Sequence, residues 1–211
     1  MDNRTYYVIP ARKGSKGFPL KNRKLISYTL KIIPSTGSSV VITSDDEEIL
    51  AMGKERGYQL IDRDPELSND TASVKDVLLD VVKQIQMNEN DIIIMLYLTY
   101  AQRKKIDIEM AMDFFKSNGA KSLLCQTEAK SHPYLCMIDD GKNKGMQFIP
   151  HNEYRRQSYP KAFKISHSIF IAYAGEIQNL NLNLYNEDTI FFPVIDWIDV
   201  DTEEDFLKLN V

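Results

Sequence analysis

The chain has little of what several functional classes require. Among 211 residues there are two cysteines, Cys125 and Cys136, both in apolar surroundings and without metal-ligand spacing. That spacing excludes a cysteine metal site and predicts reduced, mostly buried thiols, as in a cytoplasmic protein. No stretch approaches the roughly 20 apolar residues of a membrane-spanning helix. Met1-Asp2-Asn3-Arg4 does not lead into a signal peptide, so the chain reads as soluble and intracellular with no membrane partner. Cations are outnumbered, 26 Lys and Arg against 30 Asp and Glu, and the formal charge of -4 argues against a nucleic-acid partner. There is no internal repeat and no low-complexity tract. Neither G-x-G-x-x-G nor G-x-x-x-x-G-K-[ST] occurs, which excludes the dinucleotide fingerprint and the P-loop. One absence is local: no Asp or Glu lies between Asn3 and Ser44, although the chain as a whole is acidic.

What is present alternates. "YYVIP", "SVVITS", "YQLID", "DIIIMLYL" and "KSLLCQTE" read as strands, with the helix-like segments "LISYTLKII", "DDEEILAMGKERG" and "IDIEMAMDFFKS" among them. The clearest helix places Val74, Val77, Leu78, Val81, Val82 and Ile85 on one face, with Asp70 or Thr71 as its cap. Strands without polar alternation, separated by helices, predict an α/β fold: a mostly parallel central sheet covered by helices on both faces. The rhythm breaks from 131 to 164, a turn-rich stretch with aromatics and Arg, then resumes with "SHSIFIAYA". An irregular segment of that length is an interaction or functional element. The expected division is therefore a main domain of 1–130 and 165–211 with an insert of 131–164.

In such sheets ligands bind beyond the carboxyl ends of the strands, so the loop after the first strand is the place to look. Here "IPARKGSKGFPLKN" supplies Arg12, Lys16 and Lys21 as cations, and Gly14 and Gly17 as points where backbone amides can approach an anion. A basic, acid-free loop at this position points to a phosphate-rich ligand; the alternative is a solvated turn. Far along the chain, "WIDVDTEEDF" sets Asp199 and Asp201 two apart, on one face of an extended segment. A carboxylate pair of this kind can hold Mg²⁺ together with phosphate oxygens and waters. The alternative is that Asp201 caps the helix that follows.

These residues carry a resemblance. "IPARKGSKGFPLKN", "VITSDDEEIL", "DPELSNDTAS", "RRQSYPKAF" and "IDVDTEEDF" are similar, in the same order, to segments of the acylneuraminate cytidylyltransferase family, which makes CMP-sialic acid and related CMP-activated nonulosonates. The resemblance implies a Rossmann-like nucleotidyltransferase fold and Mg²⁺-dependent transfer of CMP from CTP to an acidic sugar. Ala11, Arg12, Gly14, Ser15, Lys16, Lys21, Asn22, Ala72 and Ser73 would then hold the nucleotide. Arg12, Lys16, Lys21 and Asp201 would be catalytic, and Asp199 and Asp201 would bind the metal. The insert resembles a dimerisation arm whose Arg156 reaches the partner's sugar carboxylate, so a homodimer is implied; the alternative for Arg156 is an interface ion pair.

The departures gather on the sugar side. "LYLTYAQR" puts Tyr97 where the family often has Gln, with Thr99 and Arg103 matching, and "KISHSIFI" puts Ser166 and His167 in place of an Asn-Gly pair. Tyr97, Thr99, Arg103, Arg156, Ser166 and His167 are the expected sugar contacts. Leu135 stands for a common Lys, Val74 for a Ser or Thr, and "KNRKLISYTL" is shorter than the family pattern. Two other outcomes remain open at this point: a related enzyme for another acidic sugar of the keto-deoxyoctulosonate type, and a non-catalytic nucleotide-binding descendant.

Overall fold

A computed structural model describes residues 3–35, 39–142 and 144–209. Its centre is a seven-stranded sheet: β1 (Thr5–Pro10), β2 (Val40–Ser44), β3 (Gln59–Asp62), β4 (Ile92–Met95), β5 (Ser122–Glu128), β8 (Phe163–Tyr173) and β9 (Ile190–Pro193), in the order β3-β2-β1-β4-β8-β5-β9. The helices are α1 (Lys21–Leu30), α2 (Glu47–Lys54), a single turn α3 (Pro65–Ser68), α4 (Val74–Ile85), α5 (Lys105–Ser117) and α6 (Glu203–Lys208).

The missing polar alternation has its expected cause, since both faces of the sheet are buried. Ile92 and Ile94 face one apolar cluster with Leu25 and Ile26 of α1, Ile49 of α2 and Phe115 of α5. Ile93 and Met95 face the other, with Leu78 and Val81 of α4 and Ile177 of the turn after β8. Each such side chain removed from water contributes about 1.5–3 kcal/mol, so the short four-residue β4 is held by what it packs between.

Pairing is parallel for β1 with β2 and β4, for β2 with β3, and for β5 with β9. β8 departs from the expected rhythm by running antiparallel to both β4 and β5. The chain reaches it from the insert rather than through a crossover helix, so it enters the sheet from the opposite end. From β1 the chain proceeds to β2 and β3 on one side, while β4 lies on the other, which opens a crevice beyond the carboxyl ends of β1 and β4.

The cap of α4 is neither Asp70 nor Thr71. Ser73 takes that position, its hydroxyl accepting from the Asp76 amide at 3.0 Å. Asp70 lies too far upstream of the first turn, and its carboxylate turns elsewhere.

The 131–164 segment contains more regular structure than its composition predicts: a hairpin of β6 (Met137–Asp139) and β7 (Gly145–Gln147), and short 3-10 turns at Pro133–Leu135 and Arg156–Ser158. Its last residues, Phe163 and Lys164, already belong to β8. Tyr134 and His151 stack at 3.9 Å, His132 packs on Tyr159, and His132 Nε2 bonds the Pro160 carbonyl at 2.8 Å. The segment is braced by its own aromatic cluster while Met137, Met146, Phe148 and Tyr154 stay exposed. Cys125 is buried and Cys136 half-buried, both free thiols. Among the described residues no helix is long and apolar enough to cross a membrane.

Candidate active site

The crevice is a cleft of about 470 Å³, within the range usual for small-molecule sites. Its lining draws on the ends of three parallel strands and on the chain's last forty residues: Pro10, Arg12, Gly14 and Ser15 after β1; Arg63 after β3; Tyr97 to Tyr100 after β4; and Asp199 with Asp201.

The loop after β1 is fastened from below. Ala11 is buried, its amide bonding the Thr43 carbonyl at 3.0 Å, and its own carbonyl accepts from the Ser44 hydroxyl. Asn22 Nδ2 donates to the Arg12 carbonyl at 2.8 Å. Phe18, 1% exposed, plugs the loop into the core against Phe206 of α6. Leu20 then turns the chain into α1 with a positive φ of 55°, a strained conformation for a branched side chain that the packed loop enforces. The first turn of α1 presents Lys21 and Asn22 to the cleft, at the positive end of the helix dipole.

The carboxylates meet this loop. Val200 is wholly buried and its amide bonds the Thr99 carbonyl at 3.1 Å, while Ile198 N donates to Gln102 Oε1 at 3.0 Å. With that side chain buried, Asp199 and Asp201 both emerge on the open face, as the two-residue spacing requires. Asp199 Oδ2 accepts from the Tyr100 hydroxyl at 2.9 Å, and Asp201 Oδ1 pairs with Lys21 Nζ at 2.8 Å. Burial, and then the Asp199 charge, push the Tyr100 hydroxyl above its ordinary range, so it remains a proton donor to Asp199. Asp201 is free of the capping role: Thr202 caps α6, its hydroxyl accepting from the Asp205 amide at 3.2 Å. At Gly17 a Cβ would stand 2.8 Å from the Asp201 carbonyl oxygen, so only glycine lets the two segments approach this closely.

Among the described residues no group of three or more His, Cys, Asp or Glu side chains could hold a metal ion. Asp199 and Asp201 offer a pair of hard oxygen donors, each with one carboxylate oxygen outside the bonds just described. That set fits Mg²⁺, which takes one or two carboxylates and completes its shell with phosphate and water, and does not fit zinc.

Other expected residues separate into those at the cleft and those away from it. Ala72, Tyr97, Thr99 and His167 line it, with Tyr97 and His167 edge to face at 6.1 Å and His167 Nε2 bonded to the Asn183 carbonyl at 3.2 Å. Arg103 does not. It is 2% exposed, and its guanidinium bonds the carbonyls of Tyr97 and Ser168 and the Thr29 hydroxyl. This fork ties β8 and α1 to the end of β4, and burial lowers its pKa to about 10. A structural role therefore replaces the expected sugar contact. Ser166 is buried against Ser168 and opens on a smaller neighbouring cleft with Tyr100 and Asp199. Ser73 spends its hydroxyl on the helix cap. Arg156 lies in a separate cleft of about 610 Å³ between the insert and the end of β5, so within one chain it does not line the main cleft.

Three ionisable lining residues escaped sequence reasoning. Arg63 is 6% exposed, donates to Thr43 Oγ1 at 3.1 Å and to the Thr43 carbonyl at 2.6 Å, and has its pKa lowered to about 10 by burial, still well above neutrality. A cation directly after a strand end was the available signal. Tyr100 and Asp70 are the others; a tyrosine beside an aspartate pair, and an acid opposite a basic loop, become visible only once the chain is folded.

Comparison with known proteins gives the family and a likeness of fold. The cytidylyltransferase family profile matches residues 6–170. The chain is 27% identical to N-acylneuraminate cytidylyltransferase of Streptococcus agalactiae serotype III (strain NEM316), over 96% of this chain and 51% of that protein. It thus spans about half the length of that streptococcal relative. It is 34% identical to pseudaminic acid cytidylyltransferase of Campylobacter jejuni subsp. jejuni serotype O:2, over 74% of this chain and 72% of that one. Among solved structures, CMP:2-keto-3-deoxy-manno-octonic acid synthetase complexed with CTP superposes with a TM-score of 0.68 over 98% of this chain and 97% of that one, at 17% identity, a likeness of fold. With the match over most of its length, this chain belongs to the cytidylyltransferase family.

Proposed function

We propose that the protein transfers CMP from CTP to an acidic nonulosonic sugar and releases pyrophosphate. The observation that carries this reading is the meeting, in one cleft at the carboxyl edge of the sheet, of the cations Arg12, Lys21 and Arg63 with the carboxylates Asp199 and Asp201. In the reaction a sugar hydroxyl oxygen forms a bond to the α-phosphorus, the bond from that phosphorus to the β-phosphate oxygen breaks, and the hydroxyl proton passes to solvent. Such chemistry depends on holding the two reactants in line and on neutralising charge on phosphate oxygens.

In this reading Arg12, Lys16 and Lys21 bind the phosphates, with Gly14 and Ser15 offering backbone amides. Asn22 and the Ala72-Ser73 backbone meet the cytidine. Tyr97, Thr99 and His167 form the sugar wall, and Ser166 reaches it from the neighbouring cleft. Tyr100 fixes the Asp199 carboxylate by its hydrogen bond. Mg²⁺ on Asp199 and Asp201, when bound, supplies charge neutralisation at the phosphate and acidifies the attacking hydroxyl. The exposed apolar residues of the 131–164 segment support a homodimer in which this arm covers the partner's sugar pocket, bringing Arg156 to the sugar carboxylate in trans. The two free thiols suit a reducing cytoplasm.

The test is pyrophosphate release with CTP and the other nucleoside triphosphates, each against a panel of nonulosonic and octulosonic acids, with and without Mg²⁺. Turnover confined to CTP, Mg²⁺ and a nonulosonic acid is the expected result. Turnover with an octulosonic acid alone would reassign the sugar, and none with any pair would leave a nucleotide-binding protein.

A further inference from the structure

Asp70 has no helix to cap, because Ser73 performs that task, yet its carboxylate is fully engaged. Arg12 Nη1 lies 2.7 Å from Oδ1 and Lys16 Nζ lies 2.6 Å from Oδ2. Each oxygen thus faces one cation of the loop after β1, the arrangement a bridging phosphate would adopt with the same two side chains. The backbone holds the carboxylate there. Asn69 Oδ1 accepts from the Thr71 amide at 2.8 Å, the Thr71 hydroxyl at 2.7 Å and the Ala72 amide at 2.9 Å, forming a built turn with Asp70 at its tip. Arg12 Nη1 adds a longer bond to the Asn69 carbonyl at 3.4 Å. Both Arg12 and Asp70 line the cleft.

We propose that Asp70 is a built-in stand-in for a phosphate group, holding Arg12 and Lys16 in place while the cleft is empty and giving way when a polyphosphate enters. The inference rests on reading the cleft as a triphosphate site and adds a residue that sets its affinity. The contacts suit displacement. The three side chains are 37%, 46% and 84% exposed for Arg12, Asp70 and Lys16, and exposed pairs of this kind are weak. A single carboxylate charge therefore yields to a polyphosphate carrying several. Once displaced, Asp70 stands beside the phosphates as a like charge, which weakens their binding and favours pyrophosphate release. Asp70 is thus a positioning residue that acts through Arg12 and Lys16.

The experiment is calorimetric titration of inorganic pyrophosphate and tripolyphosphate into the intact protein, its Asp70→Asn variant and its Asp70→Glu variant, with metal ions chelated so that only the chain's own cations bind. Loss of the charge in Asp70→Asn should tighten both ligands about fivefold at low salt, as expected from removing two exposed ion pairs. The gain should shrink as salt screens the site. Asp70→Glu, which keeps the charge, should resemble the natural protein, and cytidine lacking phosphates should bind all three alike. Equal or weaker pyrophosphate binding by Asp70→Asn, with its melting temperature unchanged, would overturn the proposal, as would absence of binding to all three proteins. The reading of function fails separately: the expected affinity pattern without turnover of CTP and any sugar would keep the phosphate seat and remove cytidylyl transfer. Turnover with unmoved pyrophosphate affinity would remove only the role of Asp70.

Discussion

Lys21 Nζ and Asp201 Oδ1 meet at 2.8 Å although 180 residues separate them along the chain. The lysine side chain is 13% exposed and the aspartate 72%, so the pair is anchored on the lysine side and open on the other. A phosphate-bearing ligand that drew Lys21 away would release one oxygen of Asp201 at the same moment. On the proposed reading, nucleotide entry and metal binding would be linked through this single contact.

Replacing Asp201 by Asn keeps the shape of the side chain and removes the charge that attracts a hard cation. Mg²⁺-dependent turnover should fall by at least a hundredfold while the melting temperature stays within a few degrees. Activity near that of the natural protein would remove the metal assignment.

Arg12→Ala and Lys21→Ala should each raise the KM for CTP at least tenfold, because on the proposed reading each deletes a charge-assisted contact to a phosphate. Steady-state kinetics at fixed Mg²⁺ measures this. Unchanged KM in both would return the loop to the role of a solvated turn.

Arg103 makes the opposite prediction. Arg103→Met removes a buried fork and leaves the carbonyls of Tyr97 and Ser168 without their donor, at a cost of about 3 kcal/mol. The melting temperature should drop by roughly 10 °C, and the fraction that remains folded should keep its KM for CTP.

The acid limit of stability should report Asp46. Burial alone would raise its pKa, but the hydrogen bond from Arg23 at 2.7 Å, the backbone amide of Glu48 and the Arg23 charge together lower it below the ordinary carboxylate value. A carboxyl whose folded pKa is depressed contributes stability that is complete above its unfolded value and is lost as pH falls through the folded one. The stability advantage of the natural protein over Asp46→Asn should therefore hold from neutrality down to about pH 4 and vanish below that. Chemical denaturation across pH 2 to 7 measures it; an advantage that persists in strong acid would mean the pair is not charged.

Arg156 is tested by complementation. Mixing Arg156→Ala with Asp201→Asn should restore part of the activity, since a heterodimer then contains one intact site, while either homodimer stays nearly inactive. A monomeric protein by sedimentation, or no recovery after verified subunit exchange, would confine Arg156 to its own chain.

Much of this architecture could be read from the residues, and the boundary of what could is physical. The face of α4 carrying Val77, Leu78 and Val81 is buried as its spacing requires, and the unbroken apolar run of β4 lies between two cores. Strand direction was not legible: the apolar run Ile169 to Ala172 in β8 would look the same parallel or antiparallel, and only its approach from the insert decides. The site divides in the same way. A residue whose position follows from a strand end, such as Arg12, could be placed at the cleft, as could Asp199 and Asp201 from their period of two, whereas Asn22 in α1 came only from the family resemblance. Arg103 could not, because a sequence does not state which way a long side chain turns, and the carbonyls it serves lie on β8, far along the chain.

The close approach at Gly17 also bears on how the protein comes into being during synthesis. The loop after β1 is made well ahead of its partner at Asp201, with the rest of the sheet between them in the chain. A nascent chain that has completed β1 to β5 owns the basic loop but not its acidic counterpart. It also lacks β8, the strand that joins β4 to β5, so it has neither the finished sheet nor the carboxylate pair, and nothing closes the groove beside Gly17. Truncated products ending before Asp199 lack the Phe206 ring that packs on Phe18 and the Asp201 partner of Lys21, and should be catalytically silent. Assembly of the complete site is thus timed by translation of the segment that follows β9.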